Sequence, residues 1–205
     1  MARRSEHSQE EIKQMVLQAA EYIVQQQGFS ALKVRKIAAD IGYTVGSIYM
    51  VFSNMNDLNM HIKARTWQKL ALYLERNFDE REPVTSATIE RIAIAYLDFT
   101  VLNQGLWRML FEHQLPIGEV VPDWYLQETD QVLEFVYCVL KQLNTTHSDR
   151  EVRLAAQTLI KSVQGVCMQL VMQQQSIENV KAAREDVVFL VDCFIGGWIN
   201  RAKEL

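Results

Sequence analysis

Apolar residues recur at intervals of three and four along most of the chain, and this spacing is typical of amphipathic helices. The first predicted helix is preceded by Ser8, with Glu11 three residues later, which is the pattern of a capping box. Gly28 is placed to end this helix. Its apolar face is formed by Ile12, Met15, Val16, Ala19, Ala20, Ile23 and Val24.

Two short helices are predicted next, at 34–41 and from a Thr44 cap to about residue 52, with Gly42 stopping the first. Short helices joined by so few residues indicate a helix-turn-helix. A long fourth helix begins at Asn54 or Asn56 and ends near residue 77. No alternating apolar and polar run predicts a strand, so we expect an all-α fold. The remaining helices are expected at 85–103, 106–113, 123–143, 149–175 and 178–204, with Gly105 separating the first two.

In a helix-turn-helix the second helix presents side chains to base edges while its other face packs on the first helix. The side chains predicted to pack between the two helices are those of Ile37, Ala38, Ile41, Ile48 and Phe52. A purely structural corner between two helices is the alternative interpretation. The residues predicted to contact DNA are Lys33, Arg35, Lys36, Thr44, Val45, Gly46, Ser47, Tyr49, Met50 and Asn54.

The charge and the cysteine content bear on the cellular compartment of the protein but do not decide its function. The formal net charge is −4, yet residues 1–60 carry six Lys/Arg, two of them Arg3 and Arg4, against six Asp/Glu. The first third of the chain therefore has no net charge, and it contains a cluster of basic residues at 33–36. Three cysteines cannot all pair and lie in apolar runs, which fits a reducing cytosol. The polar first residues do not form a signal peptide, and no apolar run is long enough to span a membrane.

An ordered series of residues runs at fixed spacing from the end of the first helix to the start of the fourth. It comprises Gly28, Phe29, Val34, Arg35, Lys36, Ile37, Ala38, Gly42, Thr44, Gly46, Ser47, Ile48, Tyr49, Phe52, Asn54 and Leu58. The series resembles the N-terminal domain of TetR/AcrR-type regulators over residues 12–58. The resemblance implies a three-helix DNA-binding domain at 1–56 and a helical effector-binding and dimerisation domain at 57–205.

Departures from that family's pattern affect the expected DNA contacts. Lys33 stands where Thr or Ser is common, and it can supply one phosphate contact. Val45, Met50, Val51 and Met55 stand where polar or basic residues are common. We therefore expect polar base readout from Arg35, with Val45 and Met50 able to contact thymine methyl groups.

The C-terminal half contains many aromatic and sulfur-containing residues, most of which are expected to form the core. The resemblance implies an effector pocket among them, and the last two helices are expected to pair with those of a second chain. Pocket candidates are Tyr96, Phe99, Trp107, Phe111, Trp124, Phe135 and Met168. Interface candidates are Leu159, Val163, Phe189, Phe194, Gly197 and Trp198.

These features predict a cytoplasmic, nucleoid-associated repressor that binds a palindromic operator as a homodimer and responds to a small apolar or aromatic effector. An activator, or a regulator controlled by a protein partner, is the alternative within the same fold. A helical small-molecule-binding protein or enzyme with a vestigial DNA head is the alternative from another class. No catalytic motif or metal-binding spacing occurs in the sequence, so we expect neither an enzyme nor a cofactor.

Overall fold

The computed structural model describes residues 7–143, 146–173 and 176–201. Its helices are α1 (Gln9–Gln27), a 3₁₀ turn (Phe29–Ala31), α2 (Val34–Asp40), α3 (Val45–Tyr49), α4 (Met55–Arg76), α5 (Ser86–Leu102), α6 (Gln104–Glu112), α7 (Asp123–Lys141), α8 (Asp149–Met172) and α9 (Ile177–Arg201). These ranges contain no strand, so the all-α prediction is confirmed. Arg3, Arg4 and the final residues of the predicted last helix lie outside the described residues.

The predicted ends of α1 are confirmed in detail. The Ser8 hydroxyl accepts from the Glu11 backbone N–H at 3.2 Å, and the Glu11 carboxylate accepts from the Ser8 N–H at 2.6 Å. Gly28 follows the helix with a φ of 80°, which only glycine adopts at no steric cost. Side-chain hydrogen bonds therefore fix the start of this helix, and the backbone freedom of glycine fixes its end.

Several predicted helix ends differ by one or two residues from the structure, and two differences are of another kind. α3 ends at Tyr49 rather than near residue 52, because Phe52 turns inward to the core, where it is 2% exposed. Gly105 does not separate two helices but lies in the first turn of α6.

The chain divides into two compact units. The first contains the chain up to Thr66 together with Asn103–Leu126, and the second contains Trp67–Leu102 and the chain from Gln127 onward. The division falls within α4 rather than at residue 57. It describes packing, and the predicted functional boundary between residues 56 and 57 stays a prediction.

The core of the first unit is completed by α6. Leu106 and Met109, 2% and 0% exposed, belong to the same buried cluster as Ile37 and Ile48 of the helix-turn-helix. α6 also lies very close to α1, since a Cβ at Gly105 would stand 2.3 Å from the Val24 carbonyl oxygen. The three helices of the head and α6 therefore share one core.

The second unit is a helical bundle in which α5 contacts both α8 and α9. Its core includes Leu97 of α5, Leu140 of α7 and Val191 of α9, which are all fully buried. Within the described ranges, no helix has both the length and the apolar character needed to cross a bilayer.

Candidate nucleic-acid interface and effector cavity

The helix-turn-helix is held by a buried inward face and a tight turn. Ile37 and Ile48 are fully buried, and Phe52 is 2% exposed, which confirms the predicted packing. Gly42 adopts a φ of 72° in the turn, and the Tyr43 N–H donates to the Ala38 carbonyl at 2.9 Å. The two helices are therefore fixed relative to each other before any DNA is bound.

Thr44 caps α3, as predicted from the sequence. Its hydroxyl oxygen accepts from the Ser47 N–H at 3.2 Å, and the two hydroxyl oxygens lie 2.9 Å apart. The hydroxyls of both predicted contact residues thus already form a pair. A contact from either to DNA must share or replace that hydrogen bond.

The outward face of α3 carries Tyr49 and Met50, which are 43% and 70% exposed. Val45 is half-buried and packs, like Val51 and Met55, against the core of the first unit. Among the predicted apolar readers, Met50 therefore offers the larger surface to a groove.

The predicted basic residues lie at the start of α2. Lys33 is the residue before the helix and makes no side-chain capping hydrogen bond. Arg35 is exposed, and the Lys36 ammonium donates to the side-chain oxygen of Gln27. No acidic residue stands in this first turn, so the cations face the positive end of the helix dipole, which is unfavourable for the helix itself. An anion bound beside these cations would offset this unfavourable interaction with the helix dipole.

Asn54 caps α4 rather than standing free toward DNA. Its side-chain oxygen accepts from the Asp57 N–H at 2.9 Å, and the Asp57 carboxylate accepts from the Ser53 N–H at 2.8 Å. The side-chain nitrogen of Asn54 is the group that can donate to a phosphate.

Sequence reasoning missed a contact between the segment before α1 and the turn of the helix-turn-helix. The His7 Nδ1 lies 2.7 Å from the Tyr43 hydroxyl, and the two rings meet edge to face at 6.1 Å. The two residues are 36 positions apart, so no local sequence pattern predicts this contact.

Residues 113–126 are fastened to the first part of α4 by two histidines. The His61 ring stacks on Trp124 at 4.4 Å, and burial, reinforced by the positive charge of Lys13, lowers the pKa of His61. His113 lies 3.4 Å from the side-chain oxygen of Asn56, and burial, followed by the charge of Lys63, lowers the pKa of His113. Both environments favour neutral imidazoles, and Trp124 is occupied in packing.

The second unit encloses an apolar cavity of about 30 Å³. Its walls are Leu74, Ile89, Ile92, Ala93, Tyr96, Val136, Val139, Leu159, Ile160 and Val163. Tyr96 contributes the one polar side-chain atom of this lining, and its hydroxyl accepts from the Gln164 amide at 3.1 Å. The lining contains no charged residue.

Tyr96 is the one predicted pocket residue among these walls. The other rings pack in pairs or in the core instead, because a buried ring gains more from a ring partner than from an empty space. Trp107 is fully buried with Phe111 at 4.7 Å, Phe99 meets Tyr73, Phe135 meets Phe78, Trp124 meets His61, and Met168 is half-buried. The pocket predicted around Trp107 and Trp124 stays a prediction, and the cavity above is a second candidate.

The predicted interface residues divide into two groups. Leu159 and Val163, 4% and 3% exposed, line the cavity inside the chain, and their assignment to an interface stays a prediction. Phe189 is 73% exposed, and Gly197 is exposed with open space where a Cβ would stand. Phe194 and Trp198 are half-buried, and Trp198 stacks on His147 at 3.6 Å.

Comparison with known proteins identifies similar chains. The sequence model of the bacterial regulatory proteins of the tetR family matches residues 16–59. The HTH-type transcriptional regulator AcrR of Shigella flexneri is 24% identical over 206 residues, which cover 95% of this chain and 94% of that protein.

Solved structures show the same fold. A tetR-family transcriptional regulator from Streptomyces coelicolor superposes with a TM-score of 0.70 at 16% identity, over 95% of this chain and 89% of that chain. The multidrug binding protein EbrR, complexed with imidazole, gives a TM-score of 0.59 at 19% identity, over 87% and 93% of the two chains.

Proposed function

We propose that this chain is a TetR-family regulator and a ligand-responsive repressor that binds a palindromic operator as a homodimer, a proposal supported by the match of residues 16–59 to the tetR family model. The observation that carries the DNA-binding part is the rigid helix-turn-helix with an exposed outer face. Tyr49 and Met50 project from α3, and Lys33 and Arg35 stand exposed at the start of α2.

Each exposed group suits a different part of a DNA duplex. The Arg35 guanidinium can donate two parallel hydrogen bonds to a guanine edge, whereas Lys33 offers a point charge to a phosphate. Met50 can contact a thymine methyl group in the major groove. The Tyr49 hydroxyl can donate to a phosphate oxygen.

Replacing the two cations is expected to separate base reading from phosphate binding. Arg35→Ala should reduce discrimination at one base pair by about 1–3 kcal/mol. Lys33→Ala should weaken binding to all sequences alike and lower the log–log salt slope by about one. The measurement is a set of binding isotherms at several salt concentrations on a duplex selected by the wild-type protein from a random-sequence pool.

The matched control is Arg76→Ala, which removes an exposed cation at the end of α4. It should leave both base discrimination and salt slope unchanged. If Arg35→Ala and Lys33→Ala also leave them unchanged, the proposed placement of α2 at the DNA is wrong.

The apolar cavity is the proposed effector site. Ligand sites for drug-sized molecules occupy roughly 300–1,000 Å³, far more than the 30 Å³ found here. An effector must therefore be small or must displace side chains such as the half-buried Ile160. An uncharged lining penalises a charged ligand, since no counter-charge replaces its lost hydration. The relative described as a multidrug binding protein supports ligand binding in this fold.

A neutral aromatic probe is expected to act where a charged aromatic probe of similar size does not. Toluene should raise the Tm and release the protein from DNA, whereas benzylamine in its ammonium form should do neither. Ala93→Leu, which adds bulk to a wall residue that is 5% exposed, should abolish the response to toluene. Leu72→Met, at a 52% exposed position away from this lining, is the control and should respond normally. Release by both probes would contradict the assignment of this cavity.

The proposed dimer interface is the exposed face of α8 and α9. Leu154 and Phe189 are 61% and 73% exposed, and Gly165, Gly196 and Gly197 leave open space above the helix backbones. Small residues beside large apolar ones allow helices of a second copy to approach closely and bury that face.

The same fold also serves an activator or a regulator controlled by a protein partner, and both remain alternatives. A third alternative is a small-molecule-binding protein or enzyme with a vestigial DNA head. A salt-dependent, sequence-selective shift of genomic fragments by the purified protein would reject it. The proposal places the protein on the nucleoid in the cytoplasm, where operator DNA is found, and assigns it neither catalysis nor a cofactor.

A further inference from the structure

Residues 113–126, here called the strap, contact the first turns of α4, the helix that follows the helix-turn-helix. The Asn56 side-chain nitrogen donates to the Glu119 carboxylate at 3.2 Å, and the Lys63 ammonium donates to the His113 carbonyl at 3.0 Å. The structure describes every residue of the strap, and His113 alone among them is buried. Few buried contacts therefore oppose an opening of the strap.

The His113 ring is accommodated in its neutral form. Its Nε2 lies 3.4 Å from the Asn56 side-chain oxygen, whereas its Nδ1 is buried without a hydrogen-bond partner among the described residues. A protonated imidazole donates from both nitrogens, so protonation would leave a buried, charged N–H group unpaired. Burial and the Lys63 charge lower the pKa of His113, and the Glu119 carboxylate offsets them only in part. Opening the strap hydrates the ring and removes this penalty.

His61 is the second imidazole that joins α4 to the strap. Its ring stacks on Trp124 at 4.4 Å and meets the ring of Phe52, from the inward face of the helix-turn-helix, at 5.5 Å. Burial and the positive charge of Lys13 on α1 lower the pKa of His61. Asp57, whose carboxylate lies 3.6 Å away, favours the charged ring but is outweighed. Opening the strap removes Trp124 and hydrates this ring too, so a proton binds His61 more tightly in the open state.

We propose that the strap is an acid-released clamp on α4: protonation of His61 and His113 opens it, and the loosened start of α4 weakens operator binding. The operator part of this inference rests on the proposed function. It follows from position, because His61 contacts Phe52 in the core beneath the reading helix and Asn56 lies in the first turn of α4.

The expected direction follows from the linkage between proton binding and opening. A solvated histidine has a pKa of about 6.5, and both histidines have a lower pKa in the closed strap. The closed strap is therefore favoured in full above about pH 6.5 and loses stability as the pH falls below that value. Each proton taken up on opening raises the opening constant about tenfold per pH unit, so two histidines together give about a hundredfold.

The strap is tested without DNA by hydrogen exchange of the full-length protein from about pH 5 to about pH 8, the range in which histidine titrates. Exchange is read by mass spectrometry and corrected for its intrinsic pH dependence. The variants are His61→Phe, which keeps a ring on Trp124, His113→Gln, which keeps an amide donor, and the double variant. His147→Gln, at a histidine of the second unit, is the matched control. Operator affinity is measured over the same range, on a duplex that the wild type selects at its upper end.

Exchange across the strap should rise as the pH falls below about 6.5, and the opening constant of the wild type and of His147→Gln should change about a hundredfold per pH unit. His61→Phe and His113→Gln should each keep about a tenfold change, and the double variant should show none. The operator affinity of the wild type should fall over the same range relative to that of the double variant, in which the strap stays closed.

A wild-type strap whose exchange does not rise on acidification would overturn the inference. An equal rise in α1, which indicates general unfolding, or an unchanged slope in the double variant would overturn it as well. Circular dichroism checks folding, and if the double variant does not fold, the slope of either single variant decides. A strap that opens while operator affinity matches that of the double variant would also contradict the inference. A wild type that binds no selected duplex would instead overturn the proposed function, since the exchange measurement does not depend on DNA.

Discussion

Phe189→Glu is expected to convert the protein into a monomer that no longer holds its operator. Phe189 is 73% exposed on α9, on the same outward side as Cys193, Gly196 and Gly197. In the proposed dimer that side is buried, and a carboxylate placed there would lose its hydration without a counter-charge. Losing the second reading head removes the gain from simultaneous binding of two half-sites, which amounts to roughly 10²–10⁴ in affinity.

Sedimentation equilibrium and operator-binding isotherms measure the two parts of this prediction. Leu72→Glu, at a position that is 52% exposed on α4, is the control and should stay dimeric and bind DNA. A Phe189→Glu protein that remains a dimer would remove α9 from the interface. A wild type that sediments as a monomer would remove the proposed two-fold recognition altogether.

The second large effect is expected from adding one methyl group at Gly105. The new Cβ would stand 2.3 Å from the Val24 carbonyl oxygen and 3.0 Å from the Gln25 Cα. Both obstacles are backbone atoms of α1, so no side chain can rotate to make room. Gly105→Ala should therefore lower the free energy of unfolding by about 1–3 kcal/mol, the usual cost of overpacking.

Gly46→Ala is the matched control, because that glycine also lies in the first turn of a helix but its Cβ would make only an ordinary contact, 3.6 Å from the Thr44 hydroxyl oxygen. There the removal of glycine flexibility should stabilise the helix by about 0.5–1 kcal/mol. Denaturant unfolding of the three proteins gives both values. Opposite signs for the two substitutions are expected, and a stabilised Gly105→Ala would mean that α6 does not rest on α1 so closely.

Local chemistry explains what the sequence could predict. The Ser8–Glu11 box, the turn at Gly42 and the Thr44 cap involve residues within a few positions of one another, so their patterns are visible in the sequence. The inward face around Ile37 and Ile48 follows from helical periodicity. The DNA contacts predicted on α2 and α3 follow from the same periodicity and stay a prediction.

The cavity and the interface could not be assigned in this way. Helical spacing marks the apolar positions of α8 but does not say which of two apolar faces meets the same chain and which meets a second one. Helical spacing therefore assigns Leu159 to the interface, although its side chain is 4% exposed, and it does not single out Leu154, which is 61% exposed. The pocket stays a prediction, because rings such as Phe99 and Phe135 find ring partners, Tyr73 and Phe78, that helical spacing does not mark.

The contribution of α6 to the core of the first unit bears on the order in which the protein is made and on how it can be recombined. Leu106 and Met109 close a core whose other members lie before residue 66, so the DNA head cannot be completed until residues 67–102 and then α6 have left the ribosome. Domains emerge and fold from the N-terminus, yet this head must wait for a later part of the chain. A chimera that transfers only residues 1–56 to a new sensor would leave that core open, whereas one that also carries Asn103–Leu126 would keep it closed.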